Sequence, residues 1–528
     1  MERMRIKSIM VVGGGSSGWM TAAALCKKFG KDIKVSVLEG KNSNPVGVGE
    51  STITKFNVYL NQILEIEDKE WMSECNATYK TSIRFTNFRD GNGEVFEYPF
   101  GGYHTEESFG RWSAVRARYN LGPESFCEFL NHTYWLAKHN RMTDNSQAEL
   151  QFDFKKQTAY HFDASLFGKY LKKRFCKKAK HYVDDIVSVN KNEEGYITSL
   201  VGDSGTEYSA DLFVDCTGFK SLLLEKEMGS EFISFKPWLD NDRAIATHLP
   251  YKDKTTEIRN VTNCTALSSG WSWNIPLWNR MGSGYVYSSD FISDDDAEKE
   301  FKKHVGNEDI EIRKINIRHG VRERGWVKNV VGVGLAYGFI EPLESTGLVS
   351  THEMIEQLVE TLERRDYNIT GFDRDSYNYT CQLVVNGYMY FVALHYKLSR
   401  RDDTPYWKYQ TELKDWFELS DPRLFAEKKV HISYDNGSTS WYQNVHQLHS
   451  LAHRWDPEKH GIAYIMAGMG HVPYSDYLYD VLKNGSAESF DDDVVKLYEN
   501  YKKYVTMLEE KVLTFPTSYE FLKEHIYS

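Results

Sequence analysis

The sequence predicts an α/β protein in which a Rossmann-like domain carries a layer of antiparallel sheet and a mainly helical C-terminal region. Three observations predict this class. An apolar strand near the N-terminus runs into a glycine turn and a helix, Trp, Tyr, Ser and Thr alternate with turn residues over 221–325, and amphipathic helix patterns dominate over 366–528. We expect the Rossmann-like domain to be discontinuous, over 1–220 and 326–365, because its apolar-strand pattern resumes after the sheet layer.

The composition is that of a globular protein, with 41% hydrophobic, 14% aromatic and 26% charged residues. The 64 basic and 75 acidic residues give a net charge of -11, which lacks the basic excess of proteins that bind nucleic acids or anionic membranes. No apolar stretch approaches the roughly 18 to 20 residues of a membrane-spanning helix. The seven cysteines stand singly, without zinc-ligand spacing, and we interpret them as reduced thiols of a cytoplasmic protein.

The glycine turn after the first strand has the spacing of a dinucleotide-binding fingerprint. Gly13 permits the tight turn, Gly15 the close approach of backbone N–H groups to a pyrophosphate, and Gly18 the packing of helix on strand. Ser16 lies in the turn ahead of the predicted helix Trp19–Lys28, whose N-terminus favours an anion. A second strand ends in Glu39, about twenty residues further on, where a carboxylate accepts hydrogen bonds from a ribose. The alternative is an ordinary glycine-rich turn, and the fingerprint does not distinguish NAD from FAD.

A second glycine-relaxed loop, Pro45–Thr52, follows soon after the strand that ends in Glu39. Spacing alone favours a structural loop, but the segment could also lie against a second portion of the same cofactor. Its candidate contact residues are Val48, Gly49, Glu50 and Ser51.

The most specific string in the chain is Gly270–Pro276, with the letters GWSWNIP. Alternation places the indoles of Trp271 and Trp273 on one face of a predicted strand, and Pro276 limits further pairing of that strand. Paired aromatic residues usually belong to a core, so packing in a wall is the alternative to a role in a site.

Together these strings resemble the flavin-dependent halogenases, best known as tryptophan halogenases. GWSWNIP matches the family's GWxWxIP signature at every fixed position, and Gly47–Glu50 is similar to its flavin-contacting loop. Further matches occur in preserved order between about residues 6 and 475, namely Tyr160–Ala164, Asp215–Phe219, Ala336–Gly347 and Ala467–Gly470. The resemblance implies FAD rather than NAD, bound by a GR2-type monooxygenase-like domain.

The resemblance also implies roles for four residues near two of these strings. The family's halide pocket corresponds to Thr346 and Gly347, and its active-site acid and lysine correspond to Glu344 and Lys80. Taken alone, the segment around Thr346 could equally be a helix N-cap, and a single lysine is usually a solvated surface charge.

The implied reaction is halogenation of an aromatic carbon. Reduced FAD, O2 and chloride, bromide or iodide yield hypohalous acid, which Lys80 either hydrogen-bonds or carries as a haloamine. Glu344 polarises the oxidant or accepts the proton released by the ring. Trp271 and Trp273 resemble part of the family's barrier between flavin and substrate, which hinders direct oxygen transfer. No second GxGxxG fingerprint is evident for NAD(P)H, so we expect a separate flavin reductase to supply the reduced flavin.

The substrate follows less directly from the sequence. Tryptophan halogenases clamp the amino acid with a C-terminal segment that residues 440–461 match only in part. Tyr442 keeps the family's tyrosine, whereas an acid and two aromatics are replaced by His449, His453 and Arg454, to which we assign no role. We therefore expect an indole or another electron-rich aromatic without an amino-acid handle.

Tyr98 and Phe100 are candidates for stacking on this aromatic, although a strand core would use the same residues. Two other functions stay open at this point. An FAD-dependent aromatic hydroxylase would share the nucleotide-binding fold but would need neither halide nor Lys80. A non-catalytic FAD-binding flavoprotein would hold the cofactor without turnover.

Overall fold

The computed structural model describes residues 3–42, 49–101, 106–144, 150, 152–412, 461–470 and 487–528. The chain forms two compact units that are interleaved along the sequence. Unit 1 comprises Met1–Ala77, His161–Leu239 and Ile317–Met389, and unit 2 comprises Thr78–Tyr160, Asp240–Asn316 and Tyr390–Ser528. The three-part domain division expected from the sequence stays a prediction.

Short strands and helices alternate through both units. In chain order the strands of the described residues are β1 (Arg3–Arg5), β2 (Ser8–Val12), β3 (Lys34–Glu39), β4 (Glu50–Ser51), β5 (Thr78–Lys80), β6 (Ser82–Thr86), β7 (Val95–Pro99), β8 (Ala159–Phe162), β9 (Lys180–Val183), β10 (Ile186–Lys191), β11 (Ile197–Gly202), β12 (Glu207–Tyr208), β13 (Leu212–Asp215), β14 (Phe232–Ser234), β15 (Arg243–Leu249), β16 (Val261–Leu267), β17 (Gly270–Pro276), β18 (Met281–Tyr287), β19 (Arg313–Asn316), β20 (Gly320–Arg322), β21 (Trp326–Val327), β22 (Val330–Gly332), β23 (Gly338–Phe339) and β24 (Asn368–Thr370). The α-helices are α1 (Ser16–Phe29), α2 (Phe56–Val58), α3 (Asp68–Trp71), α4 (Glu106–Tyr119), α5 (Ser125–Leu130), α6 (Tyr134–Lys138), α7 (Phe154–Gln157), α8 (Ala164–Phe175), α9 (Lys254–Glu257), α10 (Asp294–Val305), α11 (Thr346–Arg364), α12 (Gly371–Lys397), α13 (Pro405–Glu412), α14 (Gly461–Gly468), α15 (Ala487–Leu513) and α16 (Ser518–His525). Shorter helical segments are the π-helical Tyr59–Leu64 and the 3-10 turns Ser73–Cys75, Gly218–Lys220, Gly334–Ala336 and Pro342–Glu344.

Unit 1 is built around a six-stranded sheet in the order β21-β22-β13-β2-β3-β9. Its strands run parallel from β22 to β9, and β21 is antiparallel to β22. The sequences SIMVV of β2 and LFVD of β13 are almost wholly buried, as is typical of strands inside a parallel sheet. The carboxyl ends of β2, β3 and β13 meet at one edge, where such sheets bind their ligands. The predicted Rossmann-like α/β fold is confirmed.

Helix α1 follows β2 and packs against α8 and α11. The buried side of α11 includes Leu348, Thr351, Ile355, Leu358 and Leu362, whose spacing of three and four residues is typical of an amphipathic helix. This packing fixes the start of α11 within unit 1, at the segment that the sequence analysis matched to a halide pocket.

Unit 2 contains a seven-stranded sheet in the order β19-β15-β18-β17-β16-β6-β7. The strands β15 to β19 lie within 221–325 and are antiparallel, which confirms the predicted antiparallel layer. Two strands that the sequence did not assign to it, β6 and β7, extend the sheet at one edge, and β6 is parallel to β16. Conversely, β14 and β20 pair with each other in a three-stranded sheet of unit 1.

The described parts of the C-terminal region are mainly helical, as predicted. Helix α15 contains the clearest expected helix of that region, and its Val494 packs on Ala114 and Val115 of α4. Among the helices of the described ranges, none combines the length and apolar character needed to cross a bilayer. All seven cysteines are free thiols.

Candidate active site

The glycine turn of unit 1 lies at the carboxyl end of β2, and its backbone leaves no room for larger residues at two positions. Gly13 has a φ of 121°, and a Cβ there would collide with the carbonyl group of Cys216. A Cβ on Gly18 would collide with the carbonyl oxygen of Gly13, because α1 packs directly on the end of the strand. Both glycines are therefore required by the close approach of backbone to backbone, as the fingerprint predicts.

Gly15 differs from these two glycines because it faces open space. No heavy atom of the described ranges lies within 4 Å of the position that its Cβ would take. Gly15 is also the N-cap of α1, which receives no side-chain cap and has no acidic residue in its first turn. The first N–H groups of α1, which begins at Ser16, are thus available to an anion such as a pyrophosphate.

Glu39 ends β3, as predicted, and its side chain lies over the glycine turn. A Cβ on Gly14 would collide with the carboxylate group of Glu39. Oε2 of Glu39 lies 2.9 Å from Nε2 of His181, which belongs to the neighbouring strand β9. The carboxylate side chain is 20% exposed and can still accept hydrogen bonds from a ribose. Sequence reasoning misses His181, because nothing in the sequence marks β9 as the neighbour of β3.

The second glycine loop is described from Gly49 onward, whereas Val48 lies outside the described residues. Glu50 and Ser51 form β4, which pairs with β8, and Gly49 before them has a φ of 96°. Burial and the nearby carboxylate of Asp163 raise the pKa of Glu50 to about 7.

A sharp turn joins the Pro342–Glu344 segment to helix α11. Glu344 is 1% exposed, Ser345 has a left-handed φ of 58°, and Thr346 begins the helix. Ser345 holds the N-cap position, but its hydroxyl lies 3.0 Å from the hydroxyl of Ser51 and does not cap the helix. The structure thus brings the predicted cofactor loop and the predicted halide turn together within unit 1.

The start of α11 is an open helix N-terminus. No heavy atom in the described part of the chain lies within 4 Å of where a Cβ on Gly347 would be. The side chain of the N-cap residue, Ser345, accepts no hydrogen bond from the first N–H groups of α11, which include those of Thr346 and Gly347. Partial positive charge at a helix N-terminus favours a bound anion, so a halide suits this position.

Lys80 lies in the interior of unit 2, where its side chain is fully buried at 0% exposure. Its Nζ lies 5.0 Å from the ring centroid of Phe100, which is a cation–π distance. The Thr78 hydroxyl on the same strand donates a 2.6 Å hydrogen bond to the carbonyl of Pro276, and the Phe100 N–H donates to the carbonyl of Thr81 at 2.8 Å. Lys80 is therefore not the solvated surface charge that a lone lysine usually is.

Tyr98 and Phe100 lie edge to face, with ring centroids 5.9 Å apart. Tyr98 also stacks on Tyr464 of α14 at 5.7 Å and contacts Phe391 of α12 at 6.1 Å. Both Tyr98 and Phe100 are buried, so core packing and substrate stacking both fit their environment. Sequence reasoning misses Tyr464 and Phe391, although Tyr464 stands just before the family-like string Ala467–Gly470.

Trp271 and Trp273 lie on β17 with ring centroids 6.0 Å apart, which confirms that alternation places both indoles on one face. Both side chains are buried. A Cβ on Gly284 of the neighbouring strand would collide with the indole of Trp273, so that neighbour must be glycine. The strand ends at Pro276, as expected. The four residues discussed for the C-terminal segment, Tyr442, His449, His453 and Arg454, lie outside the described residues.

Comparison with known proteins shows to which family the chain belongs. The tryptophan halogenase family profile matches residues 8–473. The chain belongs to the tryptophan halogenase family. It is 36% identical over 427 residues to 7-chloro-L-tryptophan 6-halogenase KtzR of Kutzneria sp. (strain 744), which covers 76% of this chain and 81% of that protein.

Two solved structures extend the similarity of this halogenase over nearly its whole length. The apo structure of VirX1 has 43% sequence identity and a TM-score of 0.88, with 99% of this chain and 100% of that chain covered. Tar14, a tryptophan C-6 flavin-dependent halogenase from taromycin biosynthesis, has 32% identity and a TM-score of 0.80, with 98% and 99% covered. The chain is therefore an enzyme, an oxidoreductase of the flavin-dependent halogenase class, whose family halogenates tryptophan-like aromatics.

Proposed function

We propose that this halogenase uses reduced FAD, O2 and a halide to make hypohalous acid, and that Lys80 delivers the halogen to an electron-rich, indole-like aromatic. The observation that carries the proposal is the position of Lys80, a fully buried amine beside the ring of Phe100. A buried amine meets hypohalous acid away from bulk water, into which the oxidant would otherwise escape. Family membership supports the halide as co-substrate.

The geometry of unit 1 fits FAD. Gly13 and Gly18 pack without side chains, Gly15 leaves space at the start of α1 for a pyrophosphate, and Glu39 offers a carboxylate to a ribose. Ser16 contributes the first helical N–H, and the proposed flavin loop consists of Val48, Gly49, Glu50 and Ser51. When bound in reduced form, FAD would give two electrons to O2, and O2 would take two more from the halide ion, which becomes hypohalous acid.

The halide is proposed to bind at the start of α11. The N–H groups of Thr346 and Gly347 donate to it, and the helix dipole adds a favourable partial charge. Overall, reduced FAD, O2, one halide ion and one proton give FAD, one water and one hypohalous acid. The contact between Ser345 and Ser51 keeps this turn beside the flavin loop.

The halogen then moves from hypohalous acid to carbon by one of two balanced routes. In the first route the ammonium group of Lys80 hydrogen-bonds the oxygen of the acid and gives it a proton as the aromatic carbon attacks the halogen. Water then leaves, and the proton that the ring loses restores the proton balance. In the second route the neutral amine of Lys80 displaces water to form a haloamine, from which the carbon takes the halogen. In both routes Glu344, which is buried, polarises the oxidant or accepts the proton that the ring loses.

The substrate is proposed to be indole-like and to lack an amino-acid handle. Aromatic walls suit such a molecule, and the candidates that would line its pocket are Tyr98, Phe100, Trp271 and Trp273. A separate flavin reductase is proposed to supply the reduced flavin, since the sequence contains no second GxGxxG fingerprint for NAD(P)H.

Mass spectrometry of an indole and phenol panel tests this proposal. The full-length enzyme is incubated with FAD, a flavin reductase, NADH and, in turn, chloride, bromide or iodide. We expect halogenated products that appear only with halide and O2. Oxygenated products that form equally well without halide would replace the proposal with the aromatic hydroxylase.

Oxygen uptake separates the remaining alternative. If the enzyme binds FAD but consumes no more O2 than reduced flavin alone, and no substrate of the panel is modified, the chain acts as a non-catalytic flavoprotein. Tryptophan included in the panel tests the expected absence of an amino-acid handle, because an enzyme that clamps the amino group and carboxylate would prefer tryptophan to indole.

A further inference from the structure

Within unit 1 the first two turns of α11 pack against the chain segment that follows the proposed flavin loop. We call this contact the 50–59/345–353 seam after the two segments that form it. It begins with the hydroxyls of Ser51 and Ser345, 3.0 Å apart and buried. It continues with the ring of Phe56, whose centroid lies 5.8 Å from that of His352. The seam therefore joins the proposed flavin loop to the helix that starts at the proposed halide turn.

A buried ion pair lies in this seam. The ammonium group of Lys55 contacts the carboxylate of Glu353, and their side chains are 6% and 5% exposed. The hydroxyl of Tyr388 donates a further hydrogen bond of 3.3 Å to Oε1 of Glu353. Both charges are removed from water, so each depends on the other for compensation. An ion pair of this kind fixes the relative position of the two segments more narrowly than apolar packing, because its geometry is directional.

Two further ionisable groups of α11 lie within electrostatic reach of Lys55. Burial lowers the pKa of His352 well below its usual range, and the charge of Lys55 lowers it further, so His352 is neutral. Glu356, one turn further along α11, has a pKa raised to about 7 by burial, even though Lys55 opposes the shift. The carboxylate of Glu353 contacts the Lys55 ammonium directly.

The Lys55–Glu353 pair lies close enough to the start of α11 to affect the position of the proposed halide turn. Glu353 follows Gly347 by six residues, which corresponds to about 9 Å along a helix at about 1.5 Å per residue. An α-helix of this length moves as a stiff rod, so a displacement at Glu353 shifts the N–H groups at its start. On the other side of the seam, Lys55 follows Ser51 by only four residues.

We propose that Lys55 and Glu353 are positioning residues, whose ion pair sets the placement of the Thr346 and Gly347 N–H groups relative to the flavin loop and so sets the affinity for halide. This inference rests on the proposed function. Neither residue contacts the reacting atoms in this proposal, and their effect passes through helix α11.

The experiment measures the bromide KM, kcat, the flavin dissociation constant and the melting temperature of the full-length enzyme. In Lys55→Met the bromide KM should rise about tenfold while kcat changes little, because misplaced N–H groups weaken binding of the anion. Lys55→Arg should restore most of the bromide affinity, since it keeps the charge. The matched control is Asp373→Asn, which weakens the contact of Asp373, 0% exposed, with Arg365 just beyond the other end of α11.

The control should lower the melting temperature without changing the bromide KM. The double variant Lys55→Met with Glu353→Met leaves no uncompensated charge and should recover stability. A bromide KM that stays high in this stable double variant supports positioning. A KM that returns to the wild-type value together with the melting temperature, or one that rises equally in Asp373→Asn, overturns it. A wild-type enzyme without halide-dependent product would instead refute the proposed function itself.

Discussion

The two units present their candidate ligand groups in opposite ways. In unit 1 the candidate groups for anions are backbone N–H donors at the open starts of α1 and α11, where Gly15 and Gly347 leave space. In unit 2 the candidate group is one side-chain amine, that of Lys80, enclosed with the ring of Phe100. Anion binding in unit 1 should therefore weaken when a methyl group is added to Gly15 or Gly347. Halogen transfer in unit 2 should weaken when the amine of Lys80 is removed.

The largest effect is expected from Lys80→Met, which keeps the length of the side chain and removes the amine. Halogenated product should fall by about 100-fold or more, the usual contribution of a proton-transferring or nucleophilic group. Flavin affinity, which the proposal assigns to unit 1, should not change. Product is quantified by mass spectrometry and flavin binding by fluorescence, with the exposed Lys156→Met as the matched control. Undiminished product in Lys80→Met would remove the lysine from the mechanism.

The second effect concerns stability and the acid in the proposed flavin loop. Glu50 has its pKa raised from the ordinary 4.5 to about 7, so the folded state binds a proton more tightly than the unfolded state. The contribution of Glu50 to the free energy of unfolding of the flavin-free protein should therefore be largest below pH 4.5. It should fall as the pH rises to about 7. The loss is at most about 3 kcal/mol.

Glu50→Gln should flatten this decline in urea unfolding curves recorded between pH 4.5 and 7.5. Glu356 titrates in the same range, because burial raises its pKa to about 7 as well, so Glu356→Gln serves as the comparison. If wild type and Glu50→Gln lose stability in parallel across this window, Glu50 is not protonated in the folded protein.

A smaller effect is expected from Gly15→Ala at the start of α1. The new Cβ meets no heavy atom of the described residues within 4 Å, so the melting temperature should stay near that of wild type. The methyl group would still occupy space that a pyrophosphate needs, and FAD should bind about tenfold more weakly. Gly371→Ala is the matched control, because its Cβ is also nearly unopposed. Equal FAD affinity in both variants would place the cofactor elsewhere.

The smallest effect is expected from Gly347→Ala, which changes the other open helix start. Here the halide KM should rise about threefold to fivefold, in line with the modest worth of a helix N-terminus to an anion. FAD affinity should stay at the wild-type value. The pair Gly15→Ala and Gly347→Ala thus tests whether the two helix starts hold different ligands. A common effect of both variants on FAD alone would argue against a halide at α11.

The glycine turn of unit 1 was predictable because only glycine fits where two backbone segments are in direct contact. Gly13 and Gly18 stand where any Cβ collides with a carbonyl, so the sequence has to show glycine there. Strand β2 and Glu39 could likewise be placed from apolar runs and spacing. By contrast, His181 reaches Glu39 through strand order, which no local pattern encodes.

The environment of Lys80 in unit 2 was not predictable from physical patterns alone. Tyr98 stacks on Tyr464, more than 300 residues away in the chain, and the strand of Lys80 is held by the carbonyl of Pro276. Such neighbours follow from tertiary packing, in which polar and aromatic side chains from distant segments meet. Only resemblance to a family pointed to Lys80, since a lone lysine carries no pattern of its own.

The interleaving of the two units has a consequence for protein engineering. The backbone passes from one unit to the other at five places, so each unit needs three separate stretches of chain. A chimaera with a single crossover between residues 78 and 389 would mix the two parents within both units. Grafts that respect all five junctions would exchange one complete unit. The same division constrains folding during synthesis. Neither unit can complete its fold until the residues beyond the fourth junction have been synthesised.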